Sequence, residues 1–216
     1  MSTDLEFFFD PICPFAWITS RWVHEVKDLR GIEVEWRFIS LAIINEGSDY
    51  SKFPPGYPAL HAAGRKLLRV AAAARVAGGN DAVDRLYTAA GQTLHVDGLS
   101  MRVFGGEEVP ATLVTDILTR AGLDTALAAA ADDESYDEVL RAETDLAFSR
   151  TGRDVGTPII TYSPGTDREA SLFGPVISQT PRGDEALELF DAVWTVARTK
   201  SFSELKRSDR APLSFD

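Results

Sequence analysis

A single cysteine, Cys13, carries all the thiol chemistry that the 216 residues hold, and three histidines and two methionines accompany it. One cysteine excludes an internal disulfide and accords with a reducing compartment. The histidines show none of the paired spacings that bind zinc, so no metal is expected. Positive charge is also scarce: 22 Lys and Arg stand against 33 Asp and Glu, a net charge of -11. Counterion release needs clustered Lys and Arg, so neither nucleic acid nor an anionic membrane is expected as a partner. The first residues, Met-Ser-Thr-Asp-Leu, lack the basic and apolar regions of a signal peptide, and we expect a cytoplasmic protein. A glycine-rich dinucleotide fingerprint is missing too, because Gly78-Gly79 and Gly105-Gly106 lack its spacing; no directly bound nicotinamide is expected.

The chain does hold one stretch with chemistry written into it, Phe7 to Trp17. Phe7 to Phe9 close an apolar run suited to a buried strand, and Asp10-Pro11 breaks it, because the residue before a proline is pushed out of helical space. Pro14 suits a first helical turn, where its missing N–H would have been unpaired in any case. Cys13 therefore falls at a helix N-cap or beside it, where first-turn N–H groups and the helix dipole favour a thiolate. Cysteines so placed have pKa values of roughly 3.5 to 7.5. A lone cysteine is most often a small buried hydrophobe. Strand, turn, proline and helix around Cys13 reverse that default.

The rest of the chain falls into order around this turn. Ile18, Trp22, Val26 and Leu29 recur at helical spacing up to Gly31, and Ile32, Val34, Trp36 and Phe38 then alternate with charged residues as in a half-buried strand. The Trp17 and Trp22 side chains are expected in the core. A strand–helix–strand crossover of this kind is right-handed and sets its strands parallel. From about residue 47 the character changes. Proline-rich sequence leads into an alanine-rich helix over 58–77 that stops at Gly78-Gly79, then a helix from Asn80 or Asp81 to about His95. A third helix carries Val109, Leu113 and Ile117, a short alanine-rich one follows Asp124, and a last one starts near Ser135. Strand signals return at Pro158-Ile-Ile-Thr-Tyr162 and Ala170-Ser-Leu-Phe173, separated by turn residues, and a closing helix carries Ala186, Phe190, Val193, Trp194 and Ala197. The polar tail beyond Ser201 is expected to pack through Phe202, Leu205 and Phe215. These readings give an α/β chain in which 48–150 form a helical insertion within a domain made of 1–47 and 151–216.

This order resembles the DsbA-like branch of the thioredoxin superfamily, a thioredoxin-like fold with a large all-helical insertion. Five runs carry a closer likeness: Phe9-Asp-Pro-Ile-Cys-Pro-Phe-Ala-Trp17, Ser40-Leu-Ala-Ile-Ile-Asn-Glu46, Leu94-His-Val-Asp-Gly98, Asp154-Val-Gly-Thr-Pro158 and Phe173-Gly-Pro-Val-Ile-Ser-Gln-Thr-Pro-Arg-Gly183. Together they look like the mycothiol-dependent reductases of actinobacteria, a group that includes a nitroreductase. The resemblance implies that Cys13 is the attacking thiol and that Thr157-Pro158 is a cis-proline loop facing it. It implies mycothiol as co-substrate and a small-molecule or protein disulfide as the oxidised partner. Pro14, Phe15, Asn45, Tyr57 and His95 match positions that such enzymes place near the site. Each also has a plainer reading: Asn45 as a turn or cap residue, His95 as a helix C-terminal interaction, and Tyr57 as packing beside prolines. The insertion offers surface for a homodimer.

One departure from the pattern matters most. The family typically has a second cysteine three residues after the first, and here that position is Ala16. The resolving thiol must then come from another molecule. A pKa lowered from about 8.5 to about 6 raises the thiolate fraction at neutral pH roughly thirty-fold, while intrinsic nucleophilicity falls roughly ten- to twenty-fold. Attack gains little; release of Cys13 from a mixed disulfide gains more. The alternatives are a kappa-type thiol transferase or isomerase, in which the protein activates a bound thiol, and a redox-inactive binding protein.

Overall fold

A computed structural model of the chain describes residues 3–215. It comprises two compact units, one made of the chain up to Phe9, Phe15–Arg37 and the chain from Ala147 onward, the other of Asp10–Pro14 and Phe38–Leu146.

The first unit is built on a sheet of β1 (Leu5–Phe9), β2 (Val34–Phe38), β3 (Ile159–Tyr162) and β4 (Ala170–Phe173), in the order β2-β1-β3-β4. β3 runs antiparallel to both its neighbours, with Phe7 opposite Ile160 and Ile160 opposite Leu172. α1 (Pro14–Arg30) connects β1 to β2, ends at Gly31 with φ of 67°, and carries Lys27 and Arg30 in its last turn, where cations suit the dipole. Side chains alternate across a strand, so the two faces of the sheet differ. Phe7 and Phe9 meet Trp36 edge-on at 5.3 and 6.3 Å, and Tyr162 packs on Phe190 and Trp194 of the closing helix. Trp17 and Trp22 are buried; Trp22 Nε1 donates to Ala186 O at 2.9 Å, and Arg30 pairs with Asp191 through its Nη1 and Nη2. On the opposite parity Glu6, buried within β1, accepts from Arg37 and Arg150, and Arg150 also donates to Thr161. The pairs answer the cost of burying that carboxylate.

The second unit is helical. It holds α2 (Leu41–Ile44), α3 (Tyr57–Gly91), α4 (Leu99–Phe104), α5 (Leu113–Arg120) and most of α6 (Asp137–Thr151). α3 is two helices joined at a kink, where Gly78 and Gly79 leave helical space and Gly79 takes φ of 69°; the break falls at the glycine pair expected to end the first helix. Other stretches differ from the sequence reading. The chain passes through a π-helical turn over Gln92–Val96 into α4, which was not anticipated, and α5 begins at Leu113, so Val109 lies before it. The alanine-rich stretch after Asp124 is a 3-10 helix over Thr125–Asp132, with Asp124 capping it at Ala126 N. Arg65 and Arg69 both donate to Asp137 at the start of α6, where a carboxylate also suits the helix dipole.

With α7 (Gly183–Ala197) closing the chain, strand, helix, strand, helical insertion, hairpin and helix make a thioredoxin-like fold with a large helical insertion.

Candidate active site

Asp10, Pro11 and Ile12 form the turn that delivers Cys13 to the start of α1. Cys13 N donates to Asp10 O at 3.0 Å, and Cys13 as a residue is 7% exposed. Asp10 itself is fully buried. Its Oδ1 accepts from Ile12 N at 3.1 Å, an Asx-type turn, and its Oδ2 accepts from Leu41 N at 2.7 Å. The carboxylate thus ties the turn before Cys13 to the first residue of α2. Burial pushes the Asp10 carboxyl up to about 7, against the two backbone N–H groups that favour its ionised form.

Two further groups hold the turn. His95 Nε2 lies 2.9 Å from Pro11 O. A carbonyl can only accept, so Nε2 carries the proton and the imidazole donates. Burial pushes His95 down to about 4, with the Pro11 bond opposing the shift, so the ring is neutral at physiological pH. From α3, Gly64 presents no side chain: a Cβ there would lie 2.9 Å from Asp10 Oδ1 and 3.1 Å from Ile12 Cγ2. The close approach requires glycine.

The sequence-predicted residues divide accordingly. His95 reaches the turn before Cys13, through its backbone. Asn45 follows α2 and spends its amide on Leu41 O at 2.8 Å, a cap. Tyr57 opens α3 in a cluster with Phe53, His61 and Phe104, ring centroids 4.8 to 5.7 Å away. Pro14 and Phe15 are half-buried at the first turn of α1, and Ala16 is fully buried. In the sheet unit the Thr157-Pro158 bond is cis, Thr157 Oγ1 donates to Phe8 O at 3.4 Å, and Pro158 O accepts from Gly174 N at 2.8 Å. The sequence reading missed Asp10 and Gly64 as site residues. Asp10 was legible in part, since Asp before Pro at a strand end is a turn signature; its bond to Leu41, 31 residues on, was not.

The helical unit also has a cleft of about 380 Å³ bordered by Glu46, Tyr50, His61 and Arg65. Tyr50 Oη and His61 Nδ1 are 2.9 Å apart there. None of its lining residues belongs to the predicted set. Among the described residues no group of three His, Cys, Asp or Glu is placed to hold a metal ion. No described helix is long and apolar enough to cross a membrane.

A family model described as "Rv2466c-like: Mycothiol-dependent nitroreductase Rv2466c" matches residues 12–207, from the residue before Cys13 to the tail. The chain belongs to the Rv2466c-like family. Membership places it among oxidoreductases. It is similar to the uncharacterized protein Rv2286c of Mycobacterium tuberculosis, with 32% identity over 206 residues, 95% of this chain and 82% of that protein. Solved structures similar to it include Pseudomonas aeruginosa DsbA2, at 19% identity over 89% of this chain and 90% of that one with a TM-score of 0.49. Reduced DsbL is 16% identical over 90% and 91%, with a TM-score of 0.47. Within the Rv2466c-like family this chain has alanine where the sequence pattern leads one to look for a second cysteine, and Ala16 has 0% exposure.

Proposed function

We propose that the chain is a mycothiol-dependent reductase that works through one cysteine. The observation that carries the reading is a lone thiol at the start of α1, on a turn held by Asp10, His95 and the bare α-carbon of Gly64. Such a rigid turn keeps the nucleophile in one geometry, which is what orientation contributes to catalysis. With alanine at position 16, the covalent intermediate has to be opened from outside.

The cycle balances with two thiols. Cys13 thiolate attacks one sulfur of a disulfide; a new S–S bond forms, the old one breaks, and its electron pair leaves with the other half as thiolate. A mycothiol thiolate then attacks the Cys13 mixed disulfide, and a second completes the exchange, so that two mycothiols become one mycothiol disulfide and Cys13 is restored. The oxidised substrate is a small-molecule or protein disulfide; a nitro compound, as the family description names, is the second class to assay. In the helical unit Pro14, Asn45 and Tyr57, and in the sheet unit Phe15, Thr157 and Pro158, are assigned to binding of thiol or substrate on the family likeness. His95 acts through Pro11. A single cysteine accords with a reducing cytoplasm, the compartment proposed here.

The test is Cys13→Ser in an assay of mycothiol-dependent disulfide reduction. The variant should keep the wild-type circular dichroism and lose turnover. Retained turnover would sink the proposal, and conjugation of mycothiol to an electrophile without a mixed disulfide would move the chain to the thiol transferases.

A further inference from the structure

The cleft of about 380 Å³ in the helical unit is lined by α2, the chain that follows it and the first turns of α3. His61, on α3, is 3% exposed and is clamped between two tyrosines, with ring centroids 5.6 Å from Tyr50 and 4.8 Å from Tyr57. Burial holds its pKa below the ordinary value, so the ring is neutral at physiological pH. Tyr50 Oη, 2.9 Å from Nδ1, has no other partner among the described residues, and burial together with the nearby Glu46 carboxylate holds the phenol protonated. The phenol therefore donates to Nδ1, and the imidazole proton sits on Nε2. No described residue meets Nε2, which leaves a buried N–H donor at the edge of the cleft. A buried donor without an acceptor is costly, and a ligand atom is the partner it lacks.

Arg65 adds to this surplus of donors. Its Nε and Nη2 donate to Asp137 and its Nη1 to Glu46, so one N–H on each terminal nitrogen stays unspent. Glu46 is the one carboxylate on the lining, and both of its oxygens already accept from Arg141, one of them from Arg65 as well. What the cleft lacks is an acceptor. A guanidinium favours a carboxylate over a neutral carbonyl. Glu46 beside it disfavours a second negative charge, which selects a monoanion over a phosphate dianion. The remaining wall, Ala42, Pro58, Ala62 and the Tyr50 ring, suits an apolar, planar body.

We propose that this cleft is a binding site for a small aromatic carboxylate, whose oxygens accept from His61 Nε2–H and Arg65 and whose ring lies among Tyr50, Pro58 and the two alanines. The site lies wholly within the helical unit and does not depend on Cys13 being the nucleophile. Tyr50 and Tyr57 act on the ligand only through the ring they hold.

The experiment titrates three probes into the full chain at neutral pH: benzoate, its neutral isostere benzamide, and phenyl phosphate. Binding is followed by the imidazole nitrogen and backbone amide shifts of His61 in NMR spectra of the labelled protein. Benzoate should saturate with a Kd on the order of 1 mM, as expected for a ligand of this size, and the other two should bind about tenfold more weakly. A Tyr50→Phe, His61→Leu double variant removes the hydrogen-bonded pair together, so that no hydroxyl is orphaned; with wild-type circular dichroism it should weaken benzoate about tenfold, the loss of one hydrogen bond to a charged group. No saturable shift by about 20 mM benzoate would overturn the site. Benzamide or phenyl phosphate binding as tightly as benzoate would overturn the carboxylate. Unchanged benzoate affinity in the folded double variant would overturn the part played by His61.

Discussion

Replacing Asp10 by asparagine removes a carboxyl that folding carries from an ordinary value of 3.8 up to about 7, and replacing His95 by glutamine removes an imidazole that folding carries from 6.5 down to about 4. The two groups act on stability in opposite directions. Asp10, raised on folding, contributes stability that is complete below pH 3.8 and is lost as pH rises through about 7. His95, lowered on folding, contributes stability that is complete above pH 6.5 and is lost as pH falls through about 4. Each pKa unit is worth about 1.4 kcal/mol, so the full effects are about 4 kcal/mol for Asp10 and about 3 kcal/mol for His95. Between pH 4 and 6.5 the slopes, each about 1.4 kcal/mol per pH unit, cancel in the wild type. Asp10→Asn exposes the His95 slope, and stability relative to the wild type should rise with pH. An amide nitrogen facing Leu41 N–H adds a pH-independent cost of about 1–3 kcal/mol. His95→Gln exposes the opposite slope, with stability relative to the wild type rising as pH falls. Urea unfolding followed by tryptophan fluorescence, at fixed ionic strength across this interval, reads both. Profiles that stay parallel to the wild type in either variant would refute the assignment of these shifts to Asp10 and His95.

Gly64→Ala gains helix propensity of about 1 kcal/mol, yet the new Cβ presses on a fully buried Asp10. The net result expected is a destabilisation of about 1–2 kcal/mol and slower alkylation of Cys13, which a timed iodoacetamide assay would follow. Asp137→Asn leaves Arg69, itself 7% exposed, and Arg65 without their shared carboxylate. A loss of about 3 kcal/mol in urea unfolding is expected, with Cys13 alkylation unchanged in the folded protein.

Much of the frame around Cys13 was legible because its signals are local. Phe7 to Phe9, Asp10-Pro11, Pro14 and Gly31 mark β1, the turn and both ends of α1 with residues whose backbone preferences leave little choice. The helical unit was harder. α4 and the π-helical turn before it follow from packing, and Leu205, expected to pack, is 87% exposed in the tail. The supports of the turn were least legible, since each joins residues distant in the chain. His95 meets Pro11 across 84 positions, and Gly64 reads in sequence as one more small residue in an alanine-rich helix. Asn45 could be read as a cap or a ligand contact, and the structure places its amide on Leu41 O.

The claim that Cys13 passes through a mixed disulfide with a small thiol is tested most directly by intact mass of the purified protein after incubation with oxidised mycothiol. One mycothiol added per chain, absent in Cys13→Ser and removed by reduced mycothiol, is the result the one-cysteine cycle predicts. A wild-type chain that stays at its unmodified mass would contradict it.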